Sequence, residues 1–554
     1  MLKRLKSVSM MLFLMGASTG AAYAVSNPGI TDVKIAQQDG ACTGIVKDAT
    51  GETVIGASVV VKGTTNGTIT GIDGDFSLSN VKKGDVIVIS FVGYISQEIV
   101  WDGKPVNVTL KDDTQTLDEV VVVGYGTQKK VNVTGAVGMV DSKVIAARPV
   151  QNVSQALQGV IPGLNLTVGN SGGSLDGEMN INIRGTGTIG DGSGSSPLVL
   201  IDGIEGNLNT VNPNDIESVS VLKDAASASI YGARASFGVI LVTTKSGKSG
   251  KTNVNYSGNV RFNDAIGIPE LMDSYTFAQY FNRASSNRGG GDIFSPAVME
   301  RIKAYQEGTL TATTVDNGSG IWQKWANANG NTDWFGEFYD NWVPSQEHNL
   351  SISGGTEKLQ YVLSGSFLDQ KGLLRHGTDK FQRYTLNSKI TANITDWLKV
   401  TLNSKWTRED FQRPTYLTSS FFHNLARKWP VHPAYDPNGF PMDEGEIEQM
   451  ENGGEQNSQK DYYTNQLHVV IEPIKNWRIN LEGSVRTTTQ YQHWEVLPVH
   501  AYDVNGDPYY TVWDMGYGSY SAGSSRVDEY SWKENYYTTN IYSDYFKQFD
   551  NGHY

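Results

Sequence analysis

The chain of 554 residues carries a formal net charge of −13, only 19% charged residues, and many Gly (60), Tyr (27) and Trp (12). The acidity makes nucleic acid a poor partner. The single cysteine, Cys42, excludes internal disulfides and Cys-based metal clusters and reads as a small strand residue.

Residues 1–24 read as a secretory signal peptide: Lys3, Arg4 and Lys6 precede the apolar stretch Val8 to Met15, and Ala22-Tyr23-Ala24 fits a small-residue cleavage site. Cutting before Val25 removes three positive charges and no negative ones, so −13 becomes −16. Residues 25–41 form a linker. Beyond the leader there is no apolar run of about 18 residues, so no helix of the mature chain is expected to span a bilayer. An exported chain of this composition is either a set of soluble β-sandwiches or an outer-membrane barrel.

Residues 42–112 alternate short strand-like runs with turns: Thr43 to Val46, Ala57 to Lys62, Phe76 to Leu78, Val86 to Phe91 and Val106 to Leu110, which together make a small β-sandwich. The order of Gly44-Ile45-Val46, Gly56-Ala57, Val61-Lys62-Gly63-Thr64, Asp73-Gly74-Asp75-Phe76 and Gly93-Tyr94 resembles the carboxypeptidase-regulatory-like domain. Asp73-Gly74-Asp75 lacks a twelve-residue calcium-ligand pattern and reads as a hairpin turn.

Within residues 113–126, Asp118 and Glu119 lead into Val120, Val121, Val122 and Val123, followed by Gly124-Tyr125-Gly126. Four consecutive Val favour extended backbone but are too short and isolated to build a sheet of their own. The run is either an edge lent to a partner strand or an ordinary buried strand.

Residues 127–248 read as a compact mixed segment. A short helix is predicted over Val153 to Val160, strands over Met179 to Arg184, Pro197 to Ile201, Ile216 to Leu222 and Gly238 to Thr244, and a small-residue helix over Asp224 to Tyr231. Gly185-Thr186-Gly187-Thr188-Ile189-Gly190 matches a dinucleotide fingerprint in letters only, because a Gly/Ser loop follows where the phosphate-binding helix must begin.

Asp118 to Gly126, Ala156-Leu157-Gln158-Gly159, Pro162-Gly163, Ile183-Arg184-Gly185, Leu200-Ile201-Asp202-Gly203, Asn212 to Glu217, Val221 to Ala228 and Ile230 to Ala235 stand in the order found in SusC-like TonB-dependent outer-membrane transporters, which this chain resembles. The resemblance implies that Asp118 to Val123 is or adjoins the TonB box and that residues 127–248 are a plug inside a barrel. It further implies that Arg184 pairs with barrel carboxylates.

Residues 249–554 alternate in dyads at Lys358 to Phe367, Tyr384 to Ile394, Leu398 to Trp406, Leu467 to Ile471 and Trp477 to Val485, as lipid-facing and lumen-facing positions of an antiparallel transmembrane barrel do. Gly354 to Glu357, Thr395-Asp396 and Pro473 to Asn476 read as tight turns, and Arg408 to Thr464 and Thr487 to Asn535 as long outer loops. Trp397, Trp406 and Trp477 are placed near strand ends as an interfacial girdle. Room for roughly eight to ten strands, against the ~22 of a plugged barrel, leads to the expectation of an incomplete barrel and a longer parent protein. The fold class is therefore mainly β: a sandwich, a mixed α/β plug and part of a barrel.

No H-E-x-x-H occurs and the eight His are scattered, so neither an enzyme nor a cofactor or metal site is expected. Tyr491, Trp494, Tyr502 and Trp513, assigned to the last long loop, are candidate substrate contacts, because flat aromatic faces among polar groups suit sugar rings or extended peptides. By resemblance, the chain imports oligosaccharides or peptides with a SusD-like surface lipoprotein. TonB and its inner-membrane energising complex drive it, with the barrel among outer-membrane lipids and the N-terminal domain periplasmic. The alternative is a surface glycan or peptide receptor or adhesin without transport, which would need no periplasmic handle.

Overall fold

The computed structural model describes residues 40–546 apart from 50, 92–93, 112–119, 124–125, 130–134, 149, 169–173, 176, 186–195, 512, 515–518 and 521–522. The leader, most of the linker, Asp118, Glu119 and the Gly/Ser loop of the false fingerprint lie outside the described residues. The chain divides into two compact units, 1–119 and 120–554.

In the first unit, β1 (Gly40–Lys47), β4 (Asp75–Val81) and β7 (Val106–Thr109) form one sheet. Strands β2 (Ser58–Val61), β3 (Gly67–Ile69), β5 (Val86–Ser90) and β6 (Gln97–Val100) form the other. The period-2 pattern puts Cys42, Val46, Val59, Phe76, Leu78, Ile87 and Ile89 into a shared core. Gly44 is required where β1 runs parallel to β7, since a Cβ there would strike the Val106 carbonyl oxygen. Asp73-Gly74-Asp75 is a turn, with Gly74 at φ +70°. The sequence patterns missed β3 and β6, short edge strands with little apolar alternation.

The second unit opens with β8 (Val120–Val123), which pairs antiparallel with β9 (Gly126–Lys129). The expectation that the Val run builds no sheet of its own is thus corrected: residues 126–129 supply the partner. A five-stranded plug sheet follows in the order β10 (Val137–Asp141), β15 (Ile216–Leu222), β16 (Val239–Thr244), β13 (Leu198–Ile201), β14 (Ile204–Glu205), with β11 (Leu164–Val168) and β12 (Met179–Ile183) as a separate pair. Val219, Val221, Ile240 and Val242 pack on the helix Val153–Leu157, while Leu200, Leu222, Val239 and Leu241 cover the other side. The helix is shorter than predicted, and Asp224 caps a single turn, Ala225–Ala228, before a 3-10 stretch.

Eight strands then form one antiparallel sheet in sequence order: β17 (Gly250–Asn263), β18 (Val343–Gly355), β19 (Leu359–Lys371), β20 (Lys380–Thr395), β21 (Leu398–Pro414), β22 (Glu455–Ile474), β23 (Trp477–Val496) and, after the short pairs β24 (His500–Tyr502) with β25 (Pro508–Tyr510) and β26 (Trp513–Asp514) with β27 (Ser519–Tyr520), β28 (Arg526–Tyr545). The sheet is open, an incomplete barrel. Leu350, Leu363, Leu386, Ile390, Leu402, Leu467 and Ile541 are exposed on its outer face. No described helix is long and apolar enough to cross a membrane.

The strands reach far beyond the hydrophobic dyads. β21 extends to Pro414, β22 begins at Glu455 and β23 ends at Val496, so the connections predicted as loops shrink to 415–454 and 497–525. The added lengths are polar on both faces, as in Gln490-Tyr491-Gln492-His493, and so carry no dyad to read. Trp406 lies mid-strand, not at a strand end. The connections carry a cap of packed helices: Ser419–Arg427 lies in a core with Trp334, Phe338, Phe421 and Leu425, and Ser274–Asn287 in another with Phe294, Val298, Ile302 and Val431.

Candidate functional site where the plug meets the barrel wall

Asp202 and Gly203 form the two-residue turn between β13 and β14, both at positive φ (+50° and +85°), a geometry that Asp-Gly tolerates at little cost. The turn holds the Asp202 carboxylate against the concave face of the sheet. There it accepts from the Thr244 amide (2.9 Å) and hydroxyl (2.7 Å), from Asn403 Nδ2 (3.1 Å) and from Lys405 Nζ, with Lys389 Nζ at 3.5 Å. Gln466 Nε2 donates to the Asp202 carbonyl (3.0 Å). Burial raises the carboxyl's pKa, but the Lys405 and Lys389 ammonium groups outweigh it and hold Asp202 well below the usual carboxylate range. Asp215 is shifted the other way. Its burial dominates over the hydrogen bonds from Ser364 and Asn387 and raises its pKa.

Polar contacts ring this centre. Arg383 donates to the carbonyls of Asn209 (2.6 Å) and Gln151 (2.7 Å), and Thr407 Oγ1 to that of Thr210 (3.0 Å). Arg486 donates to the Glu205 carbonyl, and Arg234 pairs with Glu205 at 3.1 Å and reaches Tyr536 of β28. Arg261 and Glu347 pair within the wall, and Arg261 also reaches the Val150 carbonyl. Apolar packing enters at Leu175, against Leu368, Phe381 and Phe411. A surface built mainly from hydrogen bonds and ion pairs can exchange its partners for water when pulled apart, whereas an apolar core of the same size would expose its whole area.

Arg184 is exposed, at φ +60°, in the plug beside Lys223 and Asp224. Among the described residues the charged plug-to-wall contacts run through Asp202, Arg383, Arg486, Arg234 and Arg261. Sequence reasoning quoted Asp202 within its motif without giving it a role, since the lysines that define its role lie 187 and 203 positions along the chain (389 − 202 and 405 − 202). Of the box, Val120 to Val123 form β8 and Asp118 and Glu119 lie outside the described residues.

The four aromatics do not converge. Tyr491 and Trp494 are on β23, not in a loop: Tyr491 is half exposed on the outer face, and Trp494 is packed against the cap core. Tyr502 is stacked on Phe440, with ring centroids 4.1 Å apart. Trp513 is in β26. No cluster of metal-ligating side chains occurs among the described residues.

Residues 129–239 match the TonB-dependent Receptor Plug Domain family, and residues 42–122 match the CarboxypepD_reg-like domain family. Over 375 residues, 66% of this chain, the sequence is 37% identical to the TonB-dependent receptor SusC of Bacteroides thetaiotaomicron. Over 393 residues, 70% of this chain, it is 33% identical to a TonB-dependent receptor of Formosa agariphila. These matches cover 33% and 34% of those proteins, so the chain spans about a third of the length of the curated relatives it matches. Among solved structures, the RagAB peptide importer in its open-open state shares the fold, with a TM-score of 0.59 at 24% identity over 77% of this chain and 47% of that one. A plug sheet seated on the concave face of an open, outwardly apolar sheet, preceded by a regulatory-like sandwich and joined to this degree of identity, makes the chain a member of the SusC-like TonB-dependent receptor family.

Proposed function

We propose that the chain is part of a TonB-dependent importer of oligosaccharides or peptides across the outer membrane, working with a SusD-like surface lipoprotein. In this reading residues 42–112 are a periplasmic sandwich, residues 113–126 carry the TonB box, residues 127–248 are the plug, and the strands from residue 249 onward form the wall. Arg184 is left for carboxylates beyond the eight strands. The observation that carries the reading is the plug's charged, hydrogen-bonded seat at Asp202, which suits a stopper that must be released by force. Its relatives are named as TonB-dependent receptors, and RagAB as a peptide importer.

The handle is the test. TonB recruitment by strand addition needs backbone N–H groups, so Val121→Pro with Val122→Pro in the full-length protein is expected to abolish uptake while surface binding survives. Ile at both positions is expected to leave uptake nearly intact. Persistent uptake with the Pro pair would mean that the box lies elsewhere or that import does not depend on TonB, whereas surface binding with no uptake by the unmodified protein would favour a receptor or adhesin.

A further inference from the structure

On the outer face of the wall, Leu350, Gly365, Leu386, Trp406 and Tyr463 stand side by side across β18 to β22. Gly365 brings no side chain between Leu350 and Leu386, and a groove of about 560 Å³ opens there. The missing side chain leaves a gap of about one strand spacing, ~4.8 Å, the width of a single hydrocarbon chain. Two residues down each strand, the next outward row reads Leu363, Ser388, Ser404 and Asn465, and these also line the groove. Ser404 Oγ donates to Asn465 Oδ1 at 2.7 Å. Among the described residues neither Asn465 Nδ2 nor the Ser388 hydroxyl enters a hydrogen bond. This polar floor sits about 5 Å below the Trp406 row on strands tilted by roughly 40°. Hydrocarbon offers it no partner, and an unmet amide there is costly. Above the groove Arg408 lies over the Trp406 ring, 5.7 Å from its centre, and commits Nε and Nη2 to Asp461, which leaves Nη1 for an external anion.

We infer that the groove seats one acyl chain of lipid A, a phosphorylated glycolipid with amide-linked chains that carry a hydroxyl close to the headgroup. The inference rests on the importer reading for its sidedness, which puts the long connections at the cell surface and the groove in the outer leaflet. A glycerophospholipid ester accepts hydrogen bonds but donates none, and its polarity ends at the carbonyl. A hydroxyacyl amide both donates and accepts, and its hydroxyl lies deeper in the leaflet, at the level of Ser388 and Asn465 when the phosphate meets Arg408. A second copy of the wall is a poorer occupant, because two walls meet first through Leu350, Leu386 and Tyr463 and leave the slot between them unfilled. The site lies on inner strands of the sheet, away from its two open edges.

The test is native mass spectrometry of the full-length protein released from detergent after incubation with lipid A, or with phosphatidylethanolamine of matched chain length. One lipid A per chain is expected to stay bound under conditions that strip phosphatidylethanolamine. Asn465→Leu with Ser388→Ala is expected to lower lipid A retention about fivefold or more, the order of one or two hydrogen bonds, without lowering the melting temperature in lipid-free detergent. Gly365→Leu, which fills the slot, is expected to abolish retention. No retained lipid A, equal retention of the two lipids, or full retention by the Asn465 and Ser388 variant would each overturn the inference. So would a variant that turns a dimer into a monomer with lipid retention unchanged, since the polar floor would then belong to a second copy. If lipid A fails to bind while uptake still depends on the Val121 and Val122 backbone, only the lipid site falls. If lipid A binds as expected but the unmodified protein shows no uptake, the importer reading falls and the groove stands.

Discussion

Lys405 of β21 donates to the same Asp202 carboxylate that Lys389 of β20 approaches at 3.5 Å, so two wall cations share one plug anion. Asp202→Asn leaves both ammonium groups facing a neutral amide in a buried site. The expected loss in plug seating is about 3–5 kcal/mol, the penalty for removing one partner of a buried pair. Lys405→Gln is expected to lose less, since Lys389 still neutralises the anion. Urea titration of plug protease sensitivity in the full-length protein measures both. Equal losses would mean that Lys389 contributes nothing.

The pH dependence of this seat has a definite sign. Because the folded pKa of Asp202 is depressed, its contribution is present above the unfolded value of about 3.9 and lost as pH falls through the folded one. Between pH 7 and 5 plug release midpoints are therefore expected to show no Asp202-dependent change. The wild-type advantage over Asp202→Asn should shrink only in stronger acid. A wild-type advantage that vanished by pH 5 would contradict the geometry.

The cap is expected to be acid-sensitive much earlier. His432 is fully buried, its ring stacked 4.6 Å from that of Trp325, with Nε2 bonded to the Asp443 carbonyl at 3.0 Å. Burial, then the nearby Lys428 and Lys324 charges, hold its pKa well below the ordinary imidazole value despite that bond. A neutral folded imidazole stabilises the cap above the unfolded pKa of about 6.5, and each unit below costs up to about 1.4 kcal/mol. Protection factors in residues 415–454, taken against the intrinsic exchange rate at each pH, should fall from pH 7.5 to 5.5, and His432→Gln should flatten that change.

In the first unit, Gly44→Ala is expected to destabilise the sandwich by about 1–3 kcal/mol, because the added methyl meets the Val106 carbonyl and β7 must shift. Thermal melting of the isolated unit against the Gly63→Ala variant, whose added methyl meets no other atom within 4 Å but whose φ is +78°, separates crowding from glycine strain.

What the residues disclosed depended on whether their signal was local. The sandwich strands and the membrane halves of β19 to β23 repeat every second residue, and Ile216–Leu222 was legible to the residue. The outer halves of β21, β22 and β23 are polar on both faces and read as loop, which misplaced Tyr491 and Trp494. The Asp202 site was illegible because its parts come from β13, β16, β20, β21 and β22, joined only by the register of the sheet. Likewise Leu175 finds Leu368, Phe381 and Phe411 only after β19, β20 and β21 have aligned.

The spacing of Trp397 and Trp406 has a consequence for the bilayer itself. From Leu398, beside Trp397 in the turn, to Trp406 the strand climbs roughly 20 Å at ~3.3 Å per residue and a tilt of about 40°. The outward position above Trp406 is Arg408, ion-paired with Asp461 across the strands at 2.9 Å. The polypeptide thus marks its own waterline. A thicker membrane would have to thin locally or drag that pair into hydrocarbon, so hydrophobic mismatch should sort this wall toward thin bilayers, and its insertion yield should fall as acyl chains lengthen.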